Sequence, residues 1–326
     1  NSFLFDIIIL YIYIIMKVKK LKVFDEKPTG QVNNRYPTPK NSFVQPCLQM
    51  IVGQRTSGKS YLTAKMLNQF KKDKTFDVIY IITPSFNSNQ AYFGKHIKEE
   101  NAFEPTGDSI QKVIDLVEKD RDEFEEYLKK MELYKKFKKE FKTKNNVESM
   151  DGELLIQGYE NDFFNQPPKY KYEKVEPPKS LLILDDCLGS PALLQSSGLV
   201  KLATLNRHKA PLQEVHSDRS ACGLAVIILC QSYKMGAGMG IGRVLRENLS
   251  LLTLFKNKQE KQMDAIKEEL ANVCDVNLFD RAYNYATSEK HGSLTIDFTP
   301  KCSRQVFRKN LNEVILFDEL ICECKK

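Results

Sequence analysis

Several function classes are excluded by what this sequence lacks. Its four histidines, His96, His208, His216 and His291, stand far apart and form no H-E-x-x-H or other ligand spacing, so no zinc site is expected from them. Eight cysteines are scattered, with no C-x-x-C pair matched by a second. That pattern fits free thiols in a reducing compartment, not a disulfide framework. Long apolar runs are missing as well. Phe3 to Ile15 is almost wholly apolar, broken by Asp6, but it falls short of the roughly 20 residues a membrane helix needs. The basic run Lys17-Val18-Lys19-Lys20 follows it, the reverse of a signal peptide, whose basic residues come first. The expectation is that Met16, the first methionine, is the biological start, that residues 1–15 are translated upstream sequence, and that no stable membrane insertion occurs. A strong charge of one sign is absent too. The net charge of +7 and pI near 8.8 permit a polyanionic partner without requiring one.

What the chain does have is a phosphate-binding pattern. Gly53-Gln54-Arg55-Thr56-Ser57-Gly58-Lys59-Ser60 matches G-x-x-x-x-G-K-[ST] in full. The apolar run Cys47 to Val52 before it suits a strand. Leu62, Met66, Leu67 and Phe70 after it recur at helical spacing. In a strand–loop–helix of this kind the loop amides and the helix N-terminus cradle phosphate. Lys59 is expected on the β- and γ-phosphates of ATP and the Ser60 hydroxyl on Mg²⁺. Gly53 to Ser60, with Tyr61 beside them, make up the expected nucleotide-binding set.

A second element ends in carboxylates. Leu181-Leu182-Ile183-Leu184 reads as a buried parallel strand and runs into Asp185 and Asp186; ligands of open α/β sheets sit at such strand ends. Asp185 is expected to hold the Mg²⁺ shell, and Asp186 to orient or deprotonate the attacking water. Two adjacent carboxylates repel, so a metal or lysine is required nearby. Leu224 to Cys230 is a third buried strand and ends in Gln231, a candidate γ-phosphate sensor. Arg246, downstream of the glycine-rich residues 236–242, is the first candidate for an arginine that completes the site of a neighbouring copy, and Arg207 is the competitor.

Strands recurring between helices describe an α/β fold with a mostly parallel sheet. Phe76 to Ile82 and Leu249 to Phe255 are further strands. At 326 residues the chain fits an N-terminal extension over 1–45 and a P-loop domain over 46–326, with a helical and irregular insertion at about 110–179. Within it, Phe124, Leu128, Met131, Tyr134, Phe137 and Phe141 form one helical stripe. Lys129 to Lys144 carries eight lysines against two glutamates, and basic residues late in a helix suit its dipole. Prolines, glycines and asparagines make 145–179 read as irregular.

The ordered set of motifs resembles the genome-packaging ATPases of large eukaryotic DNA viruses, virophages and polinton-like elements, within the FtsK/HerA-type P-loop superfamily. The resemblance rests on G-Q-R-T-S-G-K-S at 53–60, I-I-T-P-S at 81–85, L-L-I-L-D-D-C at 181–187 and N-R-H at 206–208. It continues with I-I-L-C-Q-S at 227–232, Arg246-Glu247-Asn248, and the segment Tyr283 to Phe298 ending H-G-S-L-T-I-D-F, and spans roughly 45–300. It implies a RecA/FtsK–HerA-like fold and an ATPase that threads double-stranded DNA into a capsid. It also implies a homo-oligomeric ring of five or six copies, a capsid or portal-like vertex as partner, and a place in the host cytoplasm, the viral assembly site or the virion. One departure concerns Arg207. In the family the Arg-His pair stands much closer to the Gln, whereas His208 and Gln231 are 23 positions apart, with Lys209 to Cys222 inserted. A helicase or segregation translocase of the same superfamily is the first rival reading. A P-loop kinase is the second, and the strand Leu224–Gln231 with its downstream arginines suits it less well.

Overall fold

The computed structural model describes residues 33–320 apart from 145–146, 188–189, 195, 235–241, 272–273, 301 and 319. The apolar run at 3–15 and most of the glycine-rich segment at 236–242 therefore lie outside the described residues. Among those described, no helix is long and apolar enough to cross a membrane.

Eleven strands and nine helices are described. The strands are β1 Leu48–Val52, β2 Val78–Ile82, β3 Ala102–Phe103, β4 Ser180–Asp185, β5 Pro211–His216, β6 Arg219–Ala221, β7 Leu224–Cys230, β8 Leu251–Phe255, β9 Ser293–Asp297, β10 Phe307–Lys309 and β11 Glu313–Ile315. The helices are α1 Lys59–Asp73, α2 Gln90–Phe93, α3 Ser109–Lys144, α4 Gly152–Glu160, α5 Pro191–Leu194, α6 Ser197–Leu205, α7 Arg243–Glu247, α8 Glu260–Leu270 and α9 Val276–Ala286.

Nine strands form one sheet in the order β11-β10-β9-β8-β1-β7-β4-β2-β3. From β8 to β3 every pairing is parallel, and β9, β10 and β11 add an antiparallel end. This is the expected mostly parallel sheet flanked by helices. Its decisive feature is that β7 lies between β1 and β4, so the ends of three adjacent strands carry the phosphate loop, Gln231 and the aspartate pair.

All seven residues of β7 are buried, because side chains alternate between two covered faces. Leu224, Val226 and Ile228 meet Ile110, Leu202, Ile266 and Phe279 from α3, α6, α8 and α9. Ala225, Ile227 and Leu229 meet Leu62, Met66 and Leu67 of α1 on the other face. Residues 33–45 pack on the same body: Tyr36 and Gln45 form a bridge, and both are buried.

The long charged helix is continuous over 36 residues, about 54 Å at 1.5 Å per residue. Its first third packs on the sheet through Ile110, Val113, Ile114 and Val117. Its later stripe has a separate partner. Phe137 closes a small core with Met150 and Phe163, flanked by Leu154 and Leu155. The segment expected to be irregular thus contains α4, capped by the Asp151 carboxylate, which accepts from the Leu154 N–H at 3.0 Å. Gly158 is required there, since a Cβ would lie 2.4 Å from the Phe137 ring. The inserted residues Lys209 to Cys222 form the β5–β6 hairpin. Its turn residues Ser217 and Asp218 have φ of 50 and 60, as a two-residue turn matched to strand twist demands.

Candidate nucleotide site

Residues 53–58 connect β1 to α1. Gly53 N–H donates to the Cys230 carbonyl at 3.0 Å, which fixes the loop's start to the end of β7. Gly53 is needed for space: a Cβ would stand 2.4 Å from Ser57 Oγ and 2.9 Å from the buried Phe255 ring. Gly58 is needed for conformation, with φ of 110 at the entry to α1. Thr56 also takes a left-handed φ of 65, a region a β-branched residue rarely enters. The N-cap of α1 is Gly58, which has no side chain to cap the helix's first N–H groups. Gln54, Arg55, Thr56 and Tyr61 are exposed, whereas Ser57, Lys59 and Ser60 are half-buried.

Lys59 folds back over the loop, donating to the carbonyls of Gly53 at 2.7 Å and Gln54 at 3.3 Å. Burial lowers the pKa of its ammonium, while Asp186, Cys230 and Asp185 pull the other way. The lysine required beside the two carboxylates is therefore present. Asp185 is buried at the end of β4 and accepts from Asn89 Nδ2 at 2.9 Å and from Thr83 Oγ1 at 3.5 Å. Its carboxyl is pushed up to about 6, first by burial and then by Asp186, against the pull of Lys59, Thr83 and Asn89. Asp186 is exposed, has φ of 51, and accepts from Gln231 Nε2 at 3.2 Å. The structure thus brings together Lys59, Asp185, Asp186 and Gln231.

The donor set suits Mg²⁺. A carboxylate and a hydroxyl are hard oxygen ligands, and Mg²⁺ is commonly held by one or two carboxylates together with substrate phosphates. Asp185, costly to ionise in its buried place, gains from a cation there. Among the described residues no group of three or more His, Cys, Asp or Glu side chains is arranged as a metal cage.

In its own chain Arg207 lies at the far end of β7, and Arg246 is paired with a carboxylate. Arg207 is exposed in the turn Asn206–His208, and its carbonyl lies 3.6 Å from a Cβ built on Gly223, just before β7. The phosphate loop abuts the opposite end of β7, about 20 Å away at 3.3 Å per residue. Arg246 is engaged: its guanidinium meets the Glu269 carboxylate at 3.0 Å with its side chain 11% exposed, and stacks 5.5 Å from the centre of the Tyr233 ring.

Four residues with site contacts were not singled out from the sequence as site residues. Thr83 and Asn89 hold Asp185, Glu269 holds Arg246, and His291 reaches the Ser57 carbonyl at 2.9 Å. Thr83 stands just after β2 in the I-I-T-P-S motif. His291 opens the H-G-S-L-T-I-D-F motif at 291–298, whereas Asn89 and Glu269 are brought in by tertiary contacts from segments with no local signature.

No protein-family model matches this sequence, and no curated protein does. Among solved structures, the chain is similar to the genome-packaging NTPase B204 of Sulfolobus turreted icosahedral virus 2 in complex with ATPγS. The TM-score is 0.40 at 11% identity, covering 81% of this chain and 96% of that one. It is also similar to the pCW3 conjugation coupling protein TcpA with ATPγS, with TM-score 0.34, 12% identity, and 72% and 62% of the two chains. A third similarity is to the cytoplasmic domain of the Type VII secretion ATPase EccC of Thermomonospora curvata, with TM-score 0.36, 13% identity, and 85% and 26% coverage.

Proposed function

We propose that this chain is an ATP-hydrolysing motor that moves double-stranded DNA, and that its task is packaging a viral genome into a capsid. One observation carries the hydrolytic part. Lys59, the Asp185–Asp186 pair and Gln231 converge at the ends of three adjacent strands, and Gln231 is already bonded to Asp186. The DNA part is supported by the ordered motifs between 45 and 300 and is permitted by the net charge of +7.

In this reading the loop amides and Lys59 bind the β- and γ-phosphates. Water attacks the γ-phosphorus in line; the new P–O bond forms as the bridge to the β-phosphate breaks, and ADP leaves. Asp186 orients the water and takes its proton, while Gln231 contacts both the water and the γ-phosphate. Bound Mg²⁺, held by Ser60 and Asp185, would neutralise charge on the phosphate oxygens. An arginine of a neighbouring copy in a ring, Arg246 or Arg207, would meet the charge that develops on the γ-phosphoryl.

The test uses the purified chain with and without linear double-stranded DNA. Turnover should rise with DNA, rings should be seen by native mass spectrometry, and Lys59→Ala should abolish hydrolysis. Wild-type turnover by Lys59→Ala would refute the site. Strand separation by the wild-type protein would move the assignment to a helicase.

A further inference from the structure

His291 and Ser57 are 234 positions apart, yet the ring Nδ1 lies 2.9 Å from the Ser57 carbonyl oxygen. A carbonyl only accepts, so Nδ1 bears the proton and donates. The ring also lies along the loop: a Cβ built on Gly58 would be 3.5 Å from His291 Cβ and 3.6 Å from Nδ1.

The backbone that presents this ring is specialised. His291 has φ of 64, a conformation histidine adopts more readily than most residues but still seldom. Gly292 follows where a Cβ would lie 2.4 Å from the Ala286 carbonyl at the end of α9. Ser293 is then tied to the antiparallel end of the sheet, its N–H donating to Asn310 Oδ1 at 3.1 Å and its carbonyl accepting from Asn310 N–H at 3.0 Å. The ring is thus delivered by the α9–β9 turn, which belongs to no part of the parallel sheet that carries the other site residues.

The loop it touches needs a restraint. Ser57 sits between two left-handed residues, Thr56 and Gly58, and its N–H closes a turn onto the Gln54 carbonyl at 3.1 Å. Lys59 grips this loop from within, through the carbonyls of Gly53 and Gln54. When Lys59 turns to a phosphate, those contacts are given up, and the bond from His291 remains on Ser57.

We infer that His291 is a positioning residue of the nucleotide site, holding the Gln54–Gly58 turn so that its amides face phosphate before and after Lys59 changes partner. The inference rests on reading Gly53–Ser60 as the phosphate loop. His291 touches no reacting atom in this scheme; it acts through Ser57.

Three substitutions separate the hydrogen bond from the backbone. His291→Asn keeps a donor at the place of Nδ1 on a residue that tolerates left-handed φ. His291→Gly relieves the backbone but removes the donor, and His291→Ala removes the donor and adds strain. The readouts are the affinity for ATP and ADP by direct titration, kcat and KM separately, and the thermal midpoint without nucleotide. His291→Gly is expected to keep its midpoint and to lose about two- to tenfold in affinity, the worth of one hydrogen bond. KM should rise more than kcat falls, and His291→Asn should recover most of the loss. Equal affinities for the Gly and Asn variants, with Lys59→Ala inactive, would leave the loop assignment standing and overturn the role of His291. Unaltered turnover in Lys59→Ala would overturn both.

Discussion

Glu269 offers a stability test whose size follows from the structure. Its carboxylate accepts from three side chains: Arg246 at 3.0 Å, the Tyr233 hydroxyl at 2.6 Å and Lys234 at 2.9 Å. Burial pushes the carboxyl up, but the hydrogen bonds from Arg246, Tyr233 and Lys234 outweigh it and hold it at about 2, against an ordinary 4.5. At 1.36 kcal/mol per pH unit that difference is about 3 kcal/mol as an upper bound. The side chain is 28% exposed, so water screens part of it, and about 1–2 kcal/mol is the realistic contribution.

Removing the carboxylate takes the same ion pair from Arg246, whose side chain is mostly buried. The Glu269→Ala variant should therefore lose about 1–2 kcal/mol at pH 7, a fall of about 1.5–3 °C in thermal midpoint. The pH dependence has a fixed sign. A depressed carboxyl stabilises the fold above its unfolded pKa, and that contribution fades as pH falls through the window from 4.5 toward about 2. The wild-type advantage should lose about two-fifths of its size between pH 7 and pH 3.5, measured by urea unfolding of both proteins. The exposed neighbour Glu268 serves as control, and its alanine variant should stay within about 0.5 kcal/mol of wild type. A difference that is constant with pH, or equal for Glu268→Ala and Glu269→Ala, would refute the three-donor account.

Two further outcomes follow from the site. Asp185 is raised to about 6 from an ordinary 3.8, mainly by burial, so the folded nucleotide-free protein holds a proton there that the unfolded chain releases. Its stability should decline as pH rises from about 4 through 6, and Asp185→Asn should flatten that decline; urea midpoints over this range decide it. Gly53→Ala places a methyl group against Ser57 Oγ and Phe255 and should weaken ATP binding at least tenfold, about 1.4 kcal/mol, while the sheet stays folded; unchanged affinity in a titration would contradict the packing described here.

The site was legible in the sequence where chemistry demands fixed residues at fixed local spacing. The loop 53–60 is such a case, and so are the apolar runs that end in Asp185 and Gln231. Their mutual placement was not legible, because nothing local states that β7 enters between β1 and β4. The β5–β6 hairpin was missed for a physical reason: most of β5 is exposed, so its sequence shows no clean alternation. It is held instead by single contacts to α3, with Gln213 N–H donating to Glu125 at 2.7 Å and His216 edge-on to Phe124. In β10, buried Arg308 and Lys309 disguise a strand as a charged segment. Arg308 lies over the Phe43 ring and donates to the Asn41 carbonyl, and Lys309 pairs with Glu289.

The arginines show where local reading and tertiary context part company. Arg246 was singled out because a rigid fork suits a transferring phosphoryl group, but the same fork suits a carboxylate, and Glu269 occupies it. That carboxylate lies on α8, whose Gln262 donates to Ser232 Oγ at 2.5 Å and accepts from the Tyr233 N–H at 3.4 Å. Ser232 and Tyr233 directly follow Gln231. One helix therefore holds both the segment after Gln231 and the side chain of Arg246. In a close-packed interior, a shift of that segment must be taken up by these contacts and not by empty space. Arg207 has no such tie to the nucleotide edge: it sits at the far end of β7, and the hairpin after it lengthens the path to Gln231. Of the two, Arg246 is the arginine whose surroundings are physically continuous with the nucleotide site.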